Sequence, residues 1–275
     1  MEKAFTKKKA LGQNFLTSDN IPMRIAAVCG ADENTGVIEI GPGMGILTKQ
    51  LVKIAPKVVA IELDEELIPH LNKRFEDAQN FKLINNDVLK CDIKQILEDE
   101  FDGLNCCVCA NLPYYITTPI IMKLLEGDYR FKAITVMIQK EVADRLASGP
   151  KEDGYGAITV VVNYYAKVVK HFKVGAANFS PRPKVDSAVI SIIPYEDKPV
   201  KPVCEKTFFE VIKGAFATRR KTLVNSLSAV FGDRLTKEAL LDIITENHTP
   251  TVRGEELSVA ELAKISDRIY EIIKG

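Results

Sequence analysis

The sequence lacks several features that mark membrane, secreted or zinc-binding proteins. No apolar run approaches the ~18 residues that a helix needs to span a bilayer. The N-terminal stretch M-E-K-A-F-T-K-K-K is basic and has no apolar segment of the kind found in signal peptides. The 3 histidines, His70, His171 and His248, are scattered, so no histidine cluster accompanies the cysteines as zinc ligands. These absences predict a cytoplasmic protein with no membrane contact and no metal, whose 6 cysteines are buried and reduced.

The formal net charge is +0, so total charge gives no sign of a nucleic-acid partner. The distribution is uneven, because basic residues outnumber acidic ones over 1–24 and 201–225, whereas acidic residues dominate 62–102. A chain with basic ends and an acidic middle is able to bind a polyanion on one face. The length of 275 residues fits one larger and one smaller domain.

Short apolar runs rich in β-branched residues alternate with helical patterns, which is typical of βαβ units and a parallel sheet. Strands are predicted at V-I-E-I (37–40), V-V-A-I-E (58–62), F-K-L-I-N (81–85), C-C-V-C-A (106–110) and A-I-T-V-M-I-Q (133–139). Helices are predicted over 45–52, 65–75 and 119–125. We therefore expect an α/β fold with a Rossmann-like sheet and helices on both of its faces.

Two later apolar runs, 157–166 and 187–193, are predicted to extend the sheet, with a loop between them at F-S-P-R-P-K-V-D-S. The polar, proline-containing stretch E-D-K-P-V-K-P (196–202) predicts a boundary between domains 1–198 and 199–275. Beyond this boundary, helical periodicity predicts a small all-helical domain. Its predicted helices cover 208–216, 221–227, 237–244 and 259–273.

The first predicted strand runs into a glycine-rich turn, E-I-G-P-G-M-G (39–45), against which a ligand can lie on bare backbone. A dinucleotide would need G-x-G-x-x-G/A and no negative charge near its pyrophosphate. Here Ile46 holds the sixth position of this pattern, and Glu39 lies just ahead of the glycines. S-adenosylmethionine has no phosphate and carries a sulfonium and an ammonium group, which a carboxylate suits. The turn therefore favours this methyl donor over a nicotinamide cofactor.

Acidic residues follow the next two predicted strands. Glu62 ends the second strand about twenty residues after the glycine-rich turn, the spacing at which an acid reaches ribose hydroxyls. Asp87, in I-N-N-D-V, is placed to accept a hydrogen bond from an adenine amino group. Each acid alone would also suit a helix cap. Because ligands of open α/β sheets bind beyond the carboxyl ends of the strands, we expect one shared pocket.

The motif N-L-P-Y-Y (111–115) follows the fourth predicted strand and reaches the same edge of the sheet. The side-chain oxygen of Asn111 and the Leu112 carbonyl, held rigid before Pro113, are able to accept both N–H bonds of an exocyclic amine such as adenine N6 and aim it at a methyl group. Tyr114 is able to stack on that base once it is flipped or single-stranded. Since the ring does the stacking, Tyr114→Phe is expected to be nearly silent. The competing interpretation is a structural turn with tyrosines in the core.

A series of motifs runs in order through nearly the whole chain. They are L-G-Q-N-F-L (11–16), E-I-G-P-G-M-G (39–45), I-E-L-D (61–64), N-D-V (86–88), N-L-P-Y-Y-I (111–116), Q-K-E-V-A-D-R-L (139–146), N-F-S-P-R-P-K-V-D-S-A-V (178–189), A-F-A-T-R-R-K-T-L-V-N-S-L (215–227) and R-G-E-E-L-S (253–258). Together they resemble the bacterial branch of the KsgA-type ribosomal RNA adenine N6,N6-dimethyltransferases.

The resemblance implies a class I methyltransferase domain over 1–198, with a basic N-terminal segment at 1–24, and a helical RNA-binding domain over 199–275. The implied donor-binding residues are Asn14, Leu16, Gly41, Gly43, Glu62, Asp87, Val88 and Asn111. The implied catalytic residues are Asn111, Leu112, Pro113, Tyr114 and Phe179. The implied RNA contacts are Lys7, Lys8, Lys9, Arg219, Arg220 and Lys221. Phe179 would face Tyr114 across the target base, and a place in the core is its alternative.

The implied activity is N6,N6-dimethylation of two adjacent adenosines near the 3′ end of small-subunit (16S) rRNA in an assembling 30S particle. The enzyme would use S-adenosylmethionine, need no metal and act as a monomer. One rival is a large-subunit rRNA adenine methyltransferase of the macrolide-resistance type, and the R-R-K-T-L (219–223) and R-G-E-E-L-S elements favour the small-subunit enzyme. Another is a non-catalytic nucleic-acid-binding relative, which intact Asn111 and Tyr114 disfavour.

Overall fold

A computed structural model describes residues 14–127 and 129–275. Lys7, Lys8 and Lys9, implied as RNA contacts, lie outside the described residues. The chain divides into two compact units. The first comprises the residues up to Ala143 together with Lys167–Pro194, and the second comprises Asp144–Ala166 and Tyr195–Gly275.

The first unit is built on a sheet of seven strands in the order β4-β3-β2-β5-β6-β9-β7. The strands of the chain are β1 (Phe15–Leu16), β2 (Thr35–Ile40), β3 (Val58–Glu62), β4 (Phe81–Asn85), β5 (Asn105–Asn111), β6 (Phe131–Gln139), β7 (Ala166–Val174), β8 (Phe179–Ser180) and β9 (Ser187–Pro194). Strands β2 to β6 pair in parallel, and β9 pairs with β6 in antiparallel fashion. The short strands β1 and β8 form a separate antiparallel pair.

Helices flank the strands of the first unit and make up most of the second unit. They are α1 (Asn20–Val28), α2 (Thr48–Leu51), α3 (Ile68–Arg74), α4 (Ile93–Glu100), α5 (Thr117–Glu126), α6 (Lys140–Leu146), α7 (Ala157–Tyr165), α8 (Glu205–Ala217), α9 (Leu223–Phe231), α10 (Lys237–Thr245) and α11 (Val259–Lys274). In the described part of the chain, no helix combines the length and the apolarity needed to cross a bilayer.

The strand order reverses next to β2, at a point where sheets of this kind bind ligands. From β2 the chain builds outward through β3 and β4, and then returns to place β5 and β6 on the other side of β2. Open parallel sheets bind ligands where the strand order reverses, beyond the carboxyl ends of the strands. Here that point lies between β2 and β5, which pair from Thr35 with Asn105 to Ile40 with Ala110.

The α/β fold and the parallel strands β2 to β6 are confirmed, but the prediction of a strand over 157–166 is wrong, because Ala157–Tyr165 forms α7. Val160 and Tyr164 are four residues apart and therefore share one face of the helix, where both are buried with Phe208 in the core of the second unit. This packing outweighs the β preference of the valines, which depends strongly on context.

Strand β7, which follows α7, has no counterpart in the prediction. Its sequence A-K-V-V-K-H-F-K-V places lysines among the apolar residues and so hides the strand pattern. The strand lies at the edge of the sheet, where exposed lysines discourage pairing with another chain. Helices α1, α4 and α6 are likewise absent from the prediction.

The second unit contains α7 to α11 around its own core, and the predicted helices at 208–216, 221–227, 237–244 and 259–273 correspond to α8 to α11. Its division from the first unit differs from the predicted boundary at 198. Residues 144–166 group with the helical unit rather than with the sheet, since α7 packs against α8. The chain therefore enters the helical unit at residue 144, returns to the first unit for β7, β8 and β9, and enters the helical unit again at residue 195.

Candidate active site

A cleft with about 1080 Å³ of empty space, open to solvent, lies at the carboxyl ends of the strands in the first unit. The glycine-rich turn, the residues after β3 and β4 and the N-L-P-Y motif all contribute to its walls. The cleft brings together all the implied donor-binding residues, and also Leu112, Pro113 and Tyr114. Phe179 does not line it. Glu39, Glu62 and Asp87 do, and among the described lining residues there is no Lys, Arg or His.

Glu62 ties the glycine-rich turn to the end of β3. Its Oε2 accepts a hydrogen bond from the Gly43 N–H at 3.0 Å, and its Oε1 accepts one from the Asp64 N–H at 2.8 Å. Gly41 and Gly43 have φ of +67° and +58°, in the left-handed region that glycine adopts without a steric penalty. Burial raises the pKa of Glu62. Each carboxylate oxygen keeps a second lone pair that is able to accept a ligand hydroxyl.

Glu39 is a buried acid with no salt-bridge partner in the described part of the chain. It is 1% exposed, and neither its Oε2 nor the hydroxyl of the adjacent Thr48 makes a hydrogen bond with a described residue. Burial raises the pKa of Glu39 to about 8, partly opposed by Thr48 and reinforced by the Glu62 carboxylate. A cation placed in this cleft would stabilise the ionised form. In the sequence, the position of Glu39 indicated only that a phosphate would be repelled, and no pattern identified Glu39 as a site residue.

Asp87 caps a local turn, and its role toward an adenine amine stays a prediction. Its Oδ1 accepts a hydrogen bond from the Leu89 N–H at 3.0 Å, and its carbonyl accepts from Lys90 and Cys91, so that it caps a turn. Its Oδ2 has no hydrogen-bond partner among the described residues and is available to a ligand. The adjacent Val88 is buried and gives the cleft an apolar wall.

Hydrogen bonds to neighbouring segments fix the N-L-P-Y motif. The Asn111 side-chain Nδ2 donates to the Asn14 carbonyl at 3.2 Å, which leaves Asn111 Oδ1 without a partner among the described residues. The Leu112 N–H donates to the Met137 carbonyl at 3.1 Å. Pro113, with φ of −59°, then turns the chain, and its carbonyl accepts from the Thr117 hydroxyl at 3.1 Å.

The two aromatic residues implied as a base clamp have different environments. Tyr114 lines the cleft, is half-buried, and its hydroxyl lies 2.7 Å from the Ser187 hydroxyl. Phe179 is 4% exposed and packs with Leu16 in the core, where β8 pairs with β1. The structure thus places Phe179 where the alternative interpretation put it, and its clamp role stays a prediction. No pattern in the sequence singled out Ser187.

The implied RNA contacts of the second unit lie together in an exposed turn. Arg219, Arg220 and Lys221 connect α8 to α9. The Arg219 Nε is 3.5 Å from a carboxylate oxygen of Glu255, and no ion pair within the described residues engages Arg220 or Lys221. The turn therefore presents positive charge to solvent.

The other chemical expectations concern metals and thiols. Among the described residues, no group of three or more His, Cys, Asp or Glu side chains is arranged to hold a metal ion. The cysteines are all free, and Cys29, Cys91, Cys106, Cys107 and Cys109 are buried, whereas Cys204 is partly exposed. Burial is therefore confirmed for all but Cys204, and the reduced state of the thiols stays a prediction.

A mostly parallel sheet with an acidic, glycine-lined cleft at its switch point defines the chain as a class I methyltransferase. The family model described as ribosomal RNA adenine dimethylase matches residues 4–269. The chain belongs to that family.

Individual relatives agree with this assignment. A protein named ribosomal RNA small subunit methyltransferase A from Shouchella clausii (strain KSM-K16) is 46% identical over 98% of this chain and 92% of its own length. The crystal structure of a dimethyladenosine transferase from Plasmodium falciparum has a TM-score of 0.78 at 27% identity, covering 91% of this chain and 95% of that one. The 23S rRNA methyltransferase ErmE has a TM-score of 0.69 at 20% identity, covering 94% and 100%, which shows a shared fold.

The raised pKa of buried Glu39 predicts how the free energy of unfolding depends on pH. The pKa of Glu39 is about 8 in the folded protein against 4.5 for an ordinary glutamate, so between these values the folded protein holds a proton that the unfolded chain has released. Its contribution to stability is complete below 4.5 and is lost as the pH rises through about 8. The free energy of unfolding of the wild type, relative to Glu39→Gln, is therefore expected to fall across this interval.

Urea unfolding of the two proteins at a series of pH values measures this difference. The exposed Glu76 provides a control, because Glu76→Gln makes the same chemical change away from the cleft. Parallel pH profiles for the wild type and Glu39→Gln would contradict the assignment of a protonated Glu39.

Proposed function

We propose that this chain transfers methyl groups from S-adenosylmethionine to N6 of two adjacent adenosines near the 3′ end of small-subunit (16S) rRNA. The chain is an rRNA adenine dimethylase by family, and its 46% identity to a protein named ribosomal RNA small subunit methyltransferase A supports the small-subunit substrate. The observation that carries the chemistry is the orientation of Asn111, whose amide is held by Asn14 so that its oxygen is free at the cleft. ErmE supports the fold alone and gives no support to a large-subunit substrate.

The residues of the cleft fit a donor with positive charge and an adenosine group. Buried Glu39 lacks a cationic partner among the described residues and would gain one in the sulfonium or the ammonium. Glu62 is placed at the end of β3 to accept from ribose hydroxyls, and the unpartnered Oδ2 of Asp87 from the adenine amine. Asn14, which precedes β1, and Leu16, within β1, would cover the bound donor.

The N-L-P-Y residues would bind and orient the target amine. Asn111 Oδ1 and the Leu112 carbonyl accept its two N–H bonds, which localises the nitrogen lone pair and directs it into the cleft. When bound, S-adenosylmethionine would supply an electrophilic methyl carbon. The N–C bond forms as the S–C bond breaks, the neutral thioether leaves with the S–C electron pair, and the methylated nitrogen releases a proton to water. The Tyr114 ring stacks on the base and fixes its plane, with Phe179 proposed on the opposite side after a local rearrangement of β8.

The remaining proposals concern the RNA substrate, the oligomeric state and the residues that contact phosphate. We infer that the substrate is the rRNA of an assembling 30S particle, that the enzyme acts as a monomer and that no metal takes part. A ribosomal substrate implies a cytoplasmic site of action. The exposed turn at 219–221, and Lys7, Lys8 and Lys9, would contact phosphates, which supply affinity without reading sequence.

Gly41 offers a test of the donor site. A Cβ built on Gly41 meets no atom within 4 Å, and because Gly41 lines the cleft, that space is where the donor would lie. Gly41→Ala is expected to weaken S-adenosylmethionine binding about tenfold or more, measured by calorimetry. The left-handed φ of +67° adds a stability loss of about 1–2 kcal/mol.

Gly103 is a matched control for this substitution. It also has a left-handed φ, +71°, and open space around its Cβ, but it does not line the cleft. Gly103→Ala should lose similar stability and keep donor affinity. Equal donor affinity in the two variants would contradict the proposed donor position.

Asn111→Ala separates catalysis from binding. Because the Asn111 oxygen would act chiefly on the attacking amine, kcat and kcat/KM are expected to fall together, by about 10²–10³. RNA affinity should hardly change, since phosphate contacts supply most of it. Single-turnover methyl transfer to unmethylated small-subunit particles is the measurement.

Asn105→Ala makes the same substitution at the other, exposed end of β5 and should leave the rate unchanged. If Asn111→Ala lowers the melting temperature and the rate in proportion, the motif is only a structural turn. A stable Asn111→Ala protein with the wild-type rate would also refute the proposed role.

The turn at 219–221 tests the RNA interface. Replacing Arg219, Arg220 and Lys221 together by Ala should weaken RNA binding and reduce the slope of log affinity against log salt, by about 1 per lost phosphate contact. The control removes three exposed lysines elsewhere on the helical unit, Lys237, Lys264 and Lys274. An unchanged salt slope in the turn variant, or the same change in both, would rule out a specific role for the turn.

A further inference from the structure

The hydroxyl of Tyr114 has a specific partner that stacking alone does not require. Its oxygen lies 2.7 Å from the Ser187 hydroxyl oxygen, a full hydrogen bond. Ser187 is 0% exposed and does not line the cleft, so it touches neither donor nor target. Burial raises the pKa of Tyr114, which keeps its hydroxyl protonated and able to hydrogen-bond.

Ser187 is itself held in a fixed position. It begins β9, where it pairs with Gln139 at the end of β6. The preceding Asp186 accepts from the Lys140 N–H through its carbonyl and from the Ala176 N–H through Oδ1, each at 2.9 Å. The backbone of Ser187 is therefore anchored at the end of the central sheet by its pairing with Gln139 and by the hydrogen bonds of Asp186.

We propose that Ser187 is a positioning residue that holds the Tyr114 ring ready for the target base. A hydrogen bond at the far end of the ring fixes the direction of the ring axis, which free rotation about χ1 would otherwise vary. A ring ordered before the RNA arrives loses less conformational entropy when a base stacks on it, so the encounter complex is stabilised. The proposal rests on the proposed role of Tyr114 as a stacking platform.

This inference corrects the expectation that Tyr114→Phe is nearly silent. Removing either hydroxyl breaks the same hydrogen bond, so Tyr114→Phe and Ser187→Ala are each expected to lower kcat/KM for small-subunit particles about 5–10-fold, the value of one hydrogen bond. The double variant should be no worse than the single ones, because only one interaction is lost. In Ser187→Ala, the kcat at saturating RNA and the affinity for S-adenosylmethionine should stay at wild-type values, because Ser187 does not line the cleft.

Ser191→Ala is the matched control. Ser191 lies four residues further along β9, is also buried, and its hydroxyl bonds to Thr135 at 2.6 Å and to His171 at 2.8 Å. This variant should lose stability much as Ser187→Ala does, while kcat/KM stays at the wild-type value. If Ser191→Ala lowers kcat/KM as much as Ser187→Ala, the effect is one of stability and the proposal is overturned.

Tyr114→Ala separates a failure of the proposed role of Ser187 from a failure of the proposed stacking role of Tyr114. A strong loss of kcat/KM in Tyr114→Ala, with Tyr114→Phe and Ser187→Ala both at the wild-type value, overturns the role of Ser187 alone. Wild-type kcat/KM in Tyr114→Ala overturns the platform, and the role of Ser187 with it. Additive losses in the Tyr114→Phe, Ser187→Ala double variant show two independent effects and also overturn the proposal.

Discussion

The parallel pairing of β2 with β5 is the constraint on which the cleft depends. It aligns Ile40 with Ala110, so the two strands end side by side, with Gly41 following one and Asn111 ending the other. The glycine-rich turn and the N-L-P-Y motif, far apart in sequence, therefore line the same cleft. A slip of one residue in this pairing would turn every following side chain to the other face and separate donor site from acceptor site.

The charges of the cleft follow from the same geometry. Glu39 and Glu62 sit on adjacent strands and are both buried, and no basic residue lines the described cleft to neutralise them. Glu62 accepts hydrogen bonds from two backbone N–H groups, whereas Glu39 has no cationic partner among the described residues, and its burial raises its pKa. A site of this kind disfavours phosphates and favours a cationic ligand, which is the property that a sulfonium donor requires.

The N-L-P-Y motif is held from two sides. On one side Asn111 donates to Asn14, and on the other Tyr114 bonds to Ser187. The two sides are joined by the pairing of β1 with β8, so the N-terminal segment, the loop before β9 and the motif support one another. Orientation of a weakly nucleophilic amine depends on such rigidity, because small errors in position reduce the rate strongly.

The sequence by itself determined strands β2 to β6, the glycine-rich turn and the order of the motifs, because apolar runs and glycine positions are local signals. It also placed the donor-binding and N-L-P-Y residues at one edge, since parallel strands end together. Only the tertiary structure decided that 157–165 is a helix and that Phe179 is buried. It also decided that Glu39 has no cationic partner among the described residues and that the Tyr114 and Ser187 hydroxyls are hydrogen-bonded. Each of these depends on contacts between residues distant in sequence, where packing and burial outweigh local preference and no periodic pattern records the outcome.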